Sequence, residues 1–137
     1  MISEINNQDI NDFNAIGVLY DKDFIKHYNL LSYIDNPIYK IYSYKKDERI
    51  IGFIISTLIE KELEILAIYV KEEYRNQNIA TSLIKYLISN NDINRVLLEV
   101  SDKNNPAVNL YQKLGFKTIC KRLNYYKDSD ALVMEKV

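Results

Sequence analysis

The stretch "EEYRNQNIATSLIKYL" (72–87) joins an apolar segment to an amphipathic one, and it indicates the fold. The preceding segment, "ELEILAIYV" (62–70), is apolar and β-branched like a strand. The following segment has a helical repeat, with Ile79, Leu83, Ile84 and Leu87 on one face. Arg75 and a run of small polar residues lie between the two. This junction is either an ordinary turn or a site where free amides at a helix start hold a phosphate.

The segments on either side predict a mixed α/β fold. Residues 7–20 and 21–34 are helix-like, with Asp21 as a plausible N-cap and Pro37 ending the second segment. The strand-like segments 38–45, 49–59 and 62–70 predict an antiparallel meander with a tight turn near Glu60–Lys61. The other predicted elements are strand 2–5, helix 78–89, strand 95–101, helix 105–116, and two closing strands at 117–126 and 130–137.

The composition limits the possible functions. A chain of 137 residues, 47% apolar and 27% charged, predicts one soluble domain over 1–137. A net charge of −1 gives no broad basic surface, so we expect no nucleic-acid partner. His27 is the one histidine and Cys120 the one cysteine, so neither an internal disulfide nor a zinc site is expected, nor any other metal site. Neither residue is assigned a role.

Targeting signals are not evident in the sequence. "MISEINNQDI" (1–10) lacks the basic start and apolar centre of a signal peptide. The longest apolar run, "IIGFIISTLI" (50–59), is about half a membrane span and contains Gly, Ser and Thr. We therefore expect a cytoplasmic protein without a membrane partner.

Three ordered motifs resemble the GNAT acetyltransferase superfamily. "RNQNIA" (75–80) resembles its acyl-coenzyme A signature, (Q/R)-x-x-G-x-(G/A), with Asn78 where the family has Gly. "LEVSDKNNPAVNLYQKLGFK" (98–117) resembles the next block, a strand with Glu, an Asn and L-Y-x-x-x-G-F. "KRLNYYKDSDALVMEK" (121–136) resembles the tail of the ribosomal-protein-alanine N-acetyltransferase (RimI-like) subgroup, which has R-x-x-Y-Y followed by D-A. The resemblance covers 62–137, whereas 1–60 match only in element order.

The resemblance implies a GNAT fold, in which a mixed, mostly antiparallel sheet of six to seven strands is flanked by about four helices. It also implies acetyl-CoA as co-substrate. The pantetheine arm would pair with the backbone of the fourth strand where that strand splays from the fifth, and the diphosphate would bind the amides at the helix start. The implied cofactor residues are Ile68, Tyr69, Val70, Arg75, Asn76, Gln77, Asn78, Ile79, Ala80, Thr81 and Asn104. Close relatives often carry basic residues at Asn76 and Thr81, so we expect weaker, less salt-sensitive binding.

Two residues are candidates for the chemistry. Alternation along 95–101 places Glu99 on a half-apolar face, where its carboxylate could be desolvated. The pattern alone favours a solvent-facing residue paired with Arg95 or a Lys. The resemblance places Glu99 at the position of the subgroup's general base. It places Tyr111 at that of the general acid, and an ordinary pKa of ~10 suits donation to a thiolate of ~8.5. A backbone amide near Val70 is the candidate oxyanion donor.

The acceptor is expected to be a protein N-terminus. An α-amine with a pKa of ~8 is roughly one-tenth neutral at pH 7, whereas a Lys amine at ~10.4 is neutral in well under a thousandth. Tyr125 and Tyr126 would shape the peptide side of the groove, or else serve as core or dimer contacts. The alternatives are an enzyme acting on a small-molecule amine and a non-catalytic acyl-CoA-binding module, which the Asn78 replacement suggests. The chain could be a monomer or a homodimer.

Overall fold

A computed structural model describes the whole chain, residues 1–137. The N-terminal part contains β1 (Ile2–Glu4), α1 (Ile10–Tyr20) and two single-turn helices, α2 (Phe24–His27) and α3 (Leu30–Tyr33). The predicted N-cap at Asp21 is therefore wrong, because Asp21 is the extended C-cap of α1. Its carboxylate accepts a hydrogen bond from the Asp23 amide at 2.9 Å, which forms a turn where a continuous helix was predicted.

The predicted meander is confirmed. Strands β2 (Tyr39–Lys46), β3 (Arg49–Ile59) and β4 (Glu62–Val70) pair antiparallel in sequence order, and β1 pairs with β2. Both connecting turns, Asp47–Glu48 and Glu60–Lys61, have two consecutive residues at positive φ, between 50° and 66°. Two-residue turns of this handedness match the twist of the flanking strands and fix the hairpin register.

The C-terminal part supplies the remaining helices and strands. It contains α4 (Ile79–Ser89), β5 (Arg95–Ser101), α5 (Asn105–Lys113), β6 (Lys117–Tyr126) and β7 (Ser129–Lys136). The sheet has seven strands in the order β1-β2-β3-β4-β5-β7-β6, and only β4 and β5 are parallel. The predicted mixed, mostly antiparallel sheet is confirmed. Strand β7 lies between β5 and β6, which sequence order does not reveal.

Two apolar clusters cover the two faces of the sheet. One cluster contains the apolar face of α4 with Leu63, Leu98 and Met134. The other contains Phe13, Phe24 and those buried residues of β2 and β3 that point to the opposite face of the sheet. Every residue of the predicted face of α4 is buried. Strands β2, β3 and β4 are therefore packed on both faces, whereas β5 contributes to the first cluster alone. No helix exceeds eleven residues, and none is long and apolar enough to cross a membrane.

Candidate active site

The loop before α4 leaves a row of backbone N–H groups free. Asn76 and Asn78 both have left-handed backbone, with φ of 64° and 61°, a conformation that Asn tolerates better than most residues. The first helical bond runs from the Ser82 amide to the Asn78 carbonyl at 3.0 Å. The side chain of Asn78 caps nothing, and the amides of residues 76–81 have no acceptor within the chain. These amides form a cradle that is suited to an anion.

Strand β4 separates from β5 beside this loop. The two strands pair only from Glu62–Arg95 to Ile65–Leu98, and a bulge at the next residue, Leu66, bends β4 away. The predicted splay is therefore present. It leaves one backbone edge of β4 without a neighbouring strand.

The register shows which backbone groups face that edge. The Lys71 amide bonds to the Ile51 carbonyl at 2.8 Å, so alternation directs the groups of Ile68 and Val70 away from β3. The same alternation pairs the backbone of Tyr69 with Phe53. Of the three residues predicted on β4, Ile68 and Val70 therefore have backbone groups that face the open edge, and Tyr69 lines the cavity described next.

A cavity of about 790 Å³ lies between β4, the start of α4 and α5. Every predicted cofactor residue except Gln77 lines it; Gln77 is exposed and lies outside. The Arg75 Nε donates to the Val70 carbonyl at 3.1 Å, and the guanidinium lies 5.4 Å from the Tyr69 ring centre. Arg75 therefore anchors the loop to β4. Asn104 is the N-cap of α5, and its Oδ1 accepts a hydrogen bond from the Ala107 amide at 3.3 Å.

A second cavity of about 260 Å³ continues into the splay between β4 and β5. It contains Glu99, Tyr111 and Tyr126 among mainly apolar residues. The residues shared with the larger cavity are Tyr20, Ile68, Asn104, Ala107 and Tyr111. The two predicted catalytic residues therefore lie where an anion-binding cleft meets a smaller pocket.

The Glu99 carboxylate is partly exposed and has a charged neighbour, whereas the sequence suggested that it could be desolvated. Its Oε1 lies 3.4 Å from Nη1 of Arg122, and its side chain is 24% exposed. Arg95, the partner considered from the sequence, pairs with Glu62 and Glu135 instead. The predicted alternation is confirmed, because the even-numbered residues of β5 are buried and Glu99 lies on the other face.

The Tyr111 side chain is buried, and its hydroxyl has no hydrogen-bond partner within the chain. Burial raises the pKa of Tyr111 to about 12, with a smaller contribution from Tyr126. The phenol is therefore protonated at neutral pH, as a proton donor must be. It is also a weaker acid than the ordinary pKa suggested, which favours hydrogen-bond donation over complete proton transfer.

The two tyrosines of the R-x-x-Y-Y motif lie in different places. Tyr126 lines the smaller cavity, and burial followed by the charge of Glu99 raises its pKa. Tyr125 is exposed outside both cavities and lies under the Arg122 guanidinium, 5.3 Å from its ring centre. Of this pair, the structure brings only Tyr126 into the pocket.

Sequence reasoning assigned no role to Tyr20 or Arg122. Tyr20 ends α1 and lines both cavities, and burial raises its pKa. No local motif marks it. Arg122 is the Arg of the R-x-x-Y-Y motif, but its contact with Glu99 depends on the strand order.

Comparisons with known proteins agree with this geometry. The family model described as the acetyltransferase (GNAT) family matches residues 8–116. A Bacillus subtilis (strain 168) protein, provisionally named a ribosomal protein bS18-alanine N-acetyltransferase, is 33% identical over 106 residues, which cover 74% of this chain and 70% of the relative. The N-alpha-acetyltransferase of Sulfurisphaera tokodaii is 39% identical over 85 residues, 58% of this chain and 50% of that protein.

A solved structure shows the same fold over nearly the whole chain. The crystal structure of the ribosomal-protein-S18-alanine N-acetyltransferase from Escherichia coli matches with a TM-score of 0.84 at 23% identity, covering 98% of this chain and 91% of that one. The fold and the N-acetyltransferase class predicted from the sequence are confirmed. The chain belongs to the GNAT acetyltransferase family.

Proposed function

We propose that this chain transfers the acetyl group of acetyl-CoA to the N-terminal α-amine of a protein, with a ribosomal protein as a candidate acceptor. One observation carries the proposal. Residues 76 and 78–81, whose amides have no acceptor within the chain, line the larger cavity, which meets the pocket of Glu99 and Tyr111 at the splay of β4 and β5. Relatives named for N-terminal and alanine acetylation support this choice of acceptor.

The residues present fit acetyl-CoA, which is the acetyl donor of GNAT enzymes. The amides of 76–81 would hold its diphosphate, because they have no competing acceptor in the chain. The outward backbone groups of Ile68 would bind the amides of its pantetheine arm, as an added strand does, whereas the Val70 carbonyl already accepts from Arg75. Bound acetyl-CoA supplies the acetyl group as a reactive thioester. The Val70 amide is the candidate donor to the acetyl oxygen.

The transfer requires a proton acceptor for the amine and a hydrogen-bond or proton donor for the departing sulfur. The neutral amine forms a bond to the acetyl carbon, the carbon–sulfur bond breaks, and the amine loses a proton while the sulfur must be stabilised or protonated. Glu99 would accept the amine proton, directly or through water. Tyr111 would donate a hydrogen bond to the departing sulfur, because its hydroxyl is protonated and free on the cavity side.

The charge state of the amine favours an α-amine over a lysine. About a tenth of an α-amine is already neutral at pH 7, so a carboxylate base is sufficient; a lysine would require much stronger activation. The smaller cavity, with Glu99 and Tyr126 among apolar residues, would receive the first residue of the acceptor.

The test is coenzyme A release with acetyl-CoA and a panel of N-terminal peptides, including alanine-first sequences, against free small amines. Turnover of peptides should fall by roughly 10²–10⁴ in Glu99→Gln, the range for loss of a general base. Glu64→Gln, an exposed carboxylate on β4, is the matched control and should retain activity. Turnover with small amines alone would indicate the small-molecule enzyme. Acetyl-CoA binding without any turnover would indicate a binding module.

A further inference from the structure

Glu99 and Arg122 meet across an intervening strand. In the sheet, β7 lies between β5 and β6, with Glu99 opposite Val133 and Arg122 opposite Ala131. Residues directly opposite each other share a face of the sheet, so Arg122 must cross β7 to reach Glu99. Ala131, the β7 residue opposite Arg122, has a small side chain and is fully buried.

Arg122 is itself held in place. Its guanidinium lies over the ring of Tyr125, an arrangement that favours a cation electrostatically. The following bend is fixed by Asn124, which has φ of 55° and donates its amide to the Asp130 carboxylate at 2.7 Å. The β6–β7 hairpin therefore presents a restrained cation to the proposed base. Tyr126, from the same hairpin, also lies near Glu99, and Tyr20 and Tyr111 line the same cavity.

We propose that Arg122, supported by Tyr125, is a positioning residue that orients the Glu99 carboxylate toward the acceptor amine. The inference rests on the proposed function, because it assigns Glu99 the role of proton acceptor. Arg122 contacts no reacting atom and acts through Glu99.

The experiment compares Arg122→Met, Arg122→Lys and Tyr125→Leu by kcat and KM for the best acceptor peptide. Arg122→Met should lower kcat at least about tenfold, but by no more than Glu99→Gln does. The KM for acetyl-CoA should change little. Arg122→Lys should recover part of this loss, because it restores the charge without the planar fork. Tyr125→Leu, which leaves the ion pair in place, should lose less than Arg122→Met.

Lys121→Met is the matched control. Lys121 is the neighbouring cation, is similarly exposed at 50% against 52% for Arg122, and faces Asp102 and Asp130. The Lys121→Met substitution removes one positive charge, as Arg122→Met does, and should leave kcat unchanged. Denaturation midpoints of all variants would identify any loss due to unfolding, and Arg122→Lys remains informative if Arg122→Met is unstable.

A double-variant cycle separates positioning from a general structural effect. Because Arg122 acts through Glu99, adding Arg122→Met to Glu99→Gln should cost little beyond Glu99→Gln alone. Equal losses in both backgrounds, or kcat unaffected by Arg122→Met, would overturn the positioning role while leaving the proposed function intact. A wild-type chain that turns over no amine would overturn the proposed function, and this role with it.

Discussion

Asn78 allows a quantitative test of the loop that would hold the diphosphate. It has φ of 61° and ψ of 22°, which is left-handed backbone, immediately before α4. A residue with an ordinary Cβ costs roughly 1–2 kcal/mol in this conformation; Asn tolerates it better than most residues, and Gly adopts it freely. Asn78→Ala should therefore cost about 1 kcal/mol more than Asn.

The thermodynamic cycle determines where that cost appears. If the loop of Asn78→Ala stays left-handed without ligand, the free energy of unfolding falls by about 1 kcal/mol and the Kd for acetyl-CoA is unchanged. If the free loop relaxes, stability is retained and the Kd rises about fivefold, which is the equivalent of 1 kcal/mol. In both cases the loss in the free energy of unfolding and the loss in the free energy of binding acetyl-CoA should add up to about 1 kcal/mol.

The assay is urea denaturation together with calorimetric titration of acetyl-CoA. Asn78→Gly should stay within about 0.5 kcal/mol of the wild type in the sum, because relief of the left-handed cost is offset by greater freedom of the unfolded chain. Gln77→Ala is the matched control, since Gln77 has no positive φ and lies outside the cavity. A sum near zero for Asn78→Ala, or equal to that of the control, would refute the reasoning. A much tighter Kd in Asn78→Gly would show that the Asn side chain obstructs the cradle.

Three further perturbations test other parts of the structure. Burial raises the pKa of Tyr111 from 10.0 to about 12, so the free energy of unfolding should fall as the pH rises from 10 to 12, less so in Tyr111→Phe, as measured by urea denaturation. The affinity for acetyl-CoA should decrease only gently with added salt, because the cavity is lined by only two cationic residues, Arg75 and Lys113, and Arg75 already donates to the Val70 carbonyl. A steep decrease in a salt titration would contradict this. Gly17→Ala should lower the free energy of unfolding by roughly 1–3 kcal/mol, because a Cβ at Gly17 would overlap the buried Phe24 ring, and an unchanged urea midpoint would contradict it.

Local pattern predicted most of the elements correctly. The helix face that begins at Ile79 and the buried even positions of β5 both follow from short-range spacing and residue type. The segment 21–34 was predicted less well. Its helical spacing is broken where the Asp21 carboxylate binds the Asp23 amide, and two single turns form instead.

The candidate site divides in the same way. The cradle at 76–81 was predictable, since its geometry comes from one loop and the helix that follows it. The outward-facing backbone at Ile68 and Val70, with that of Tyr69 paired to β3, depends on the register with β3. No residue type in β4 encodes that register.

The sequence by itself determined the order of strands and helices, the buried faces, and the motifs that mark an acetyltransferase, because each depends on residues close together in the chain. Tertiary structure decided which distant residues meet. Tyr20 reaches both cavities because α1 ends above the splay of β4 and β5, and Arg122 reaches Glu99 because β7 lies between β5 and β6. Periodicity assigns a side chain to a face, whereas strand order and register determine its neighbours on that face.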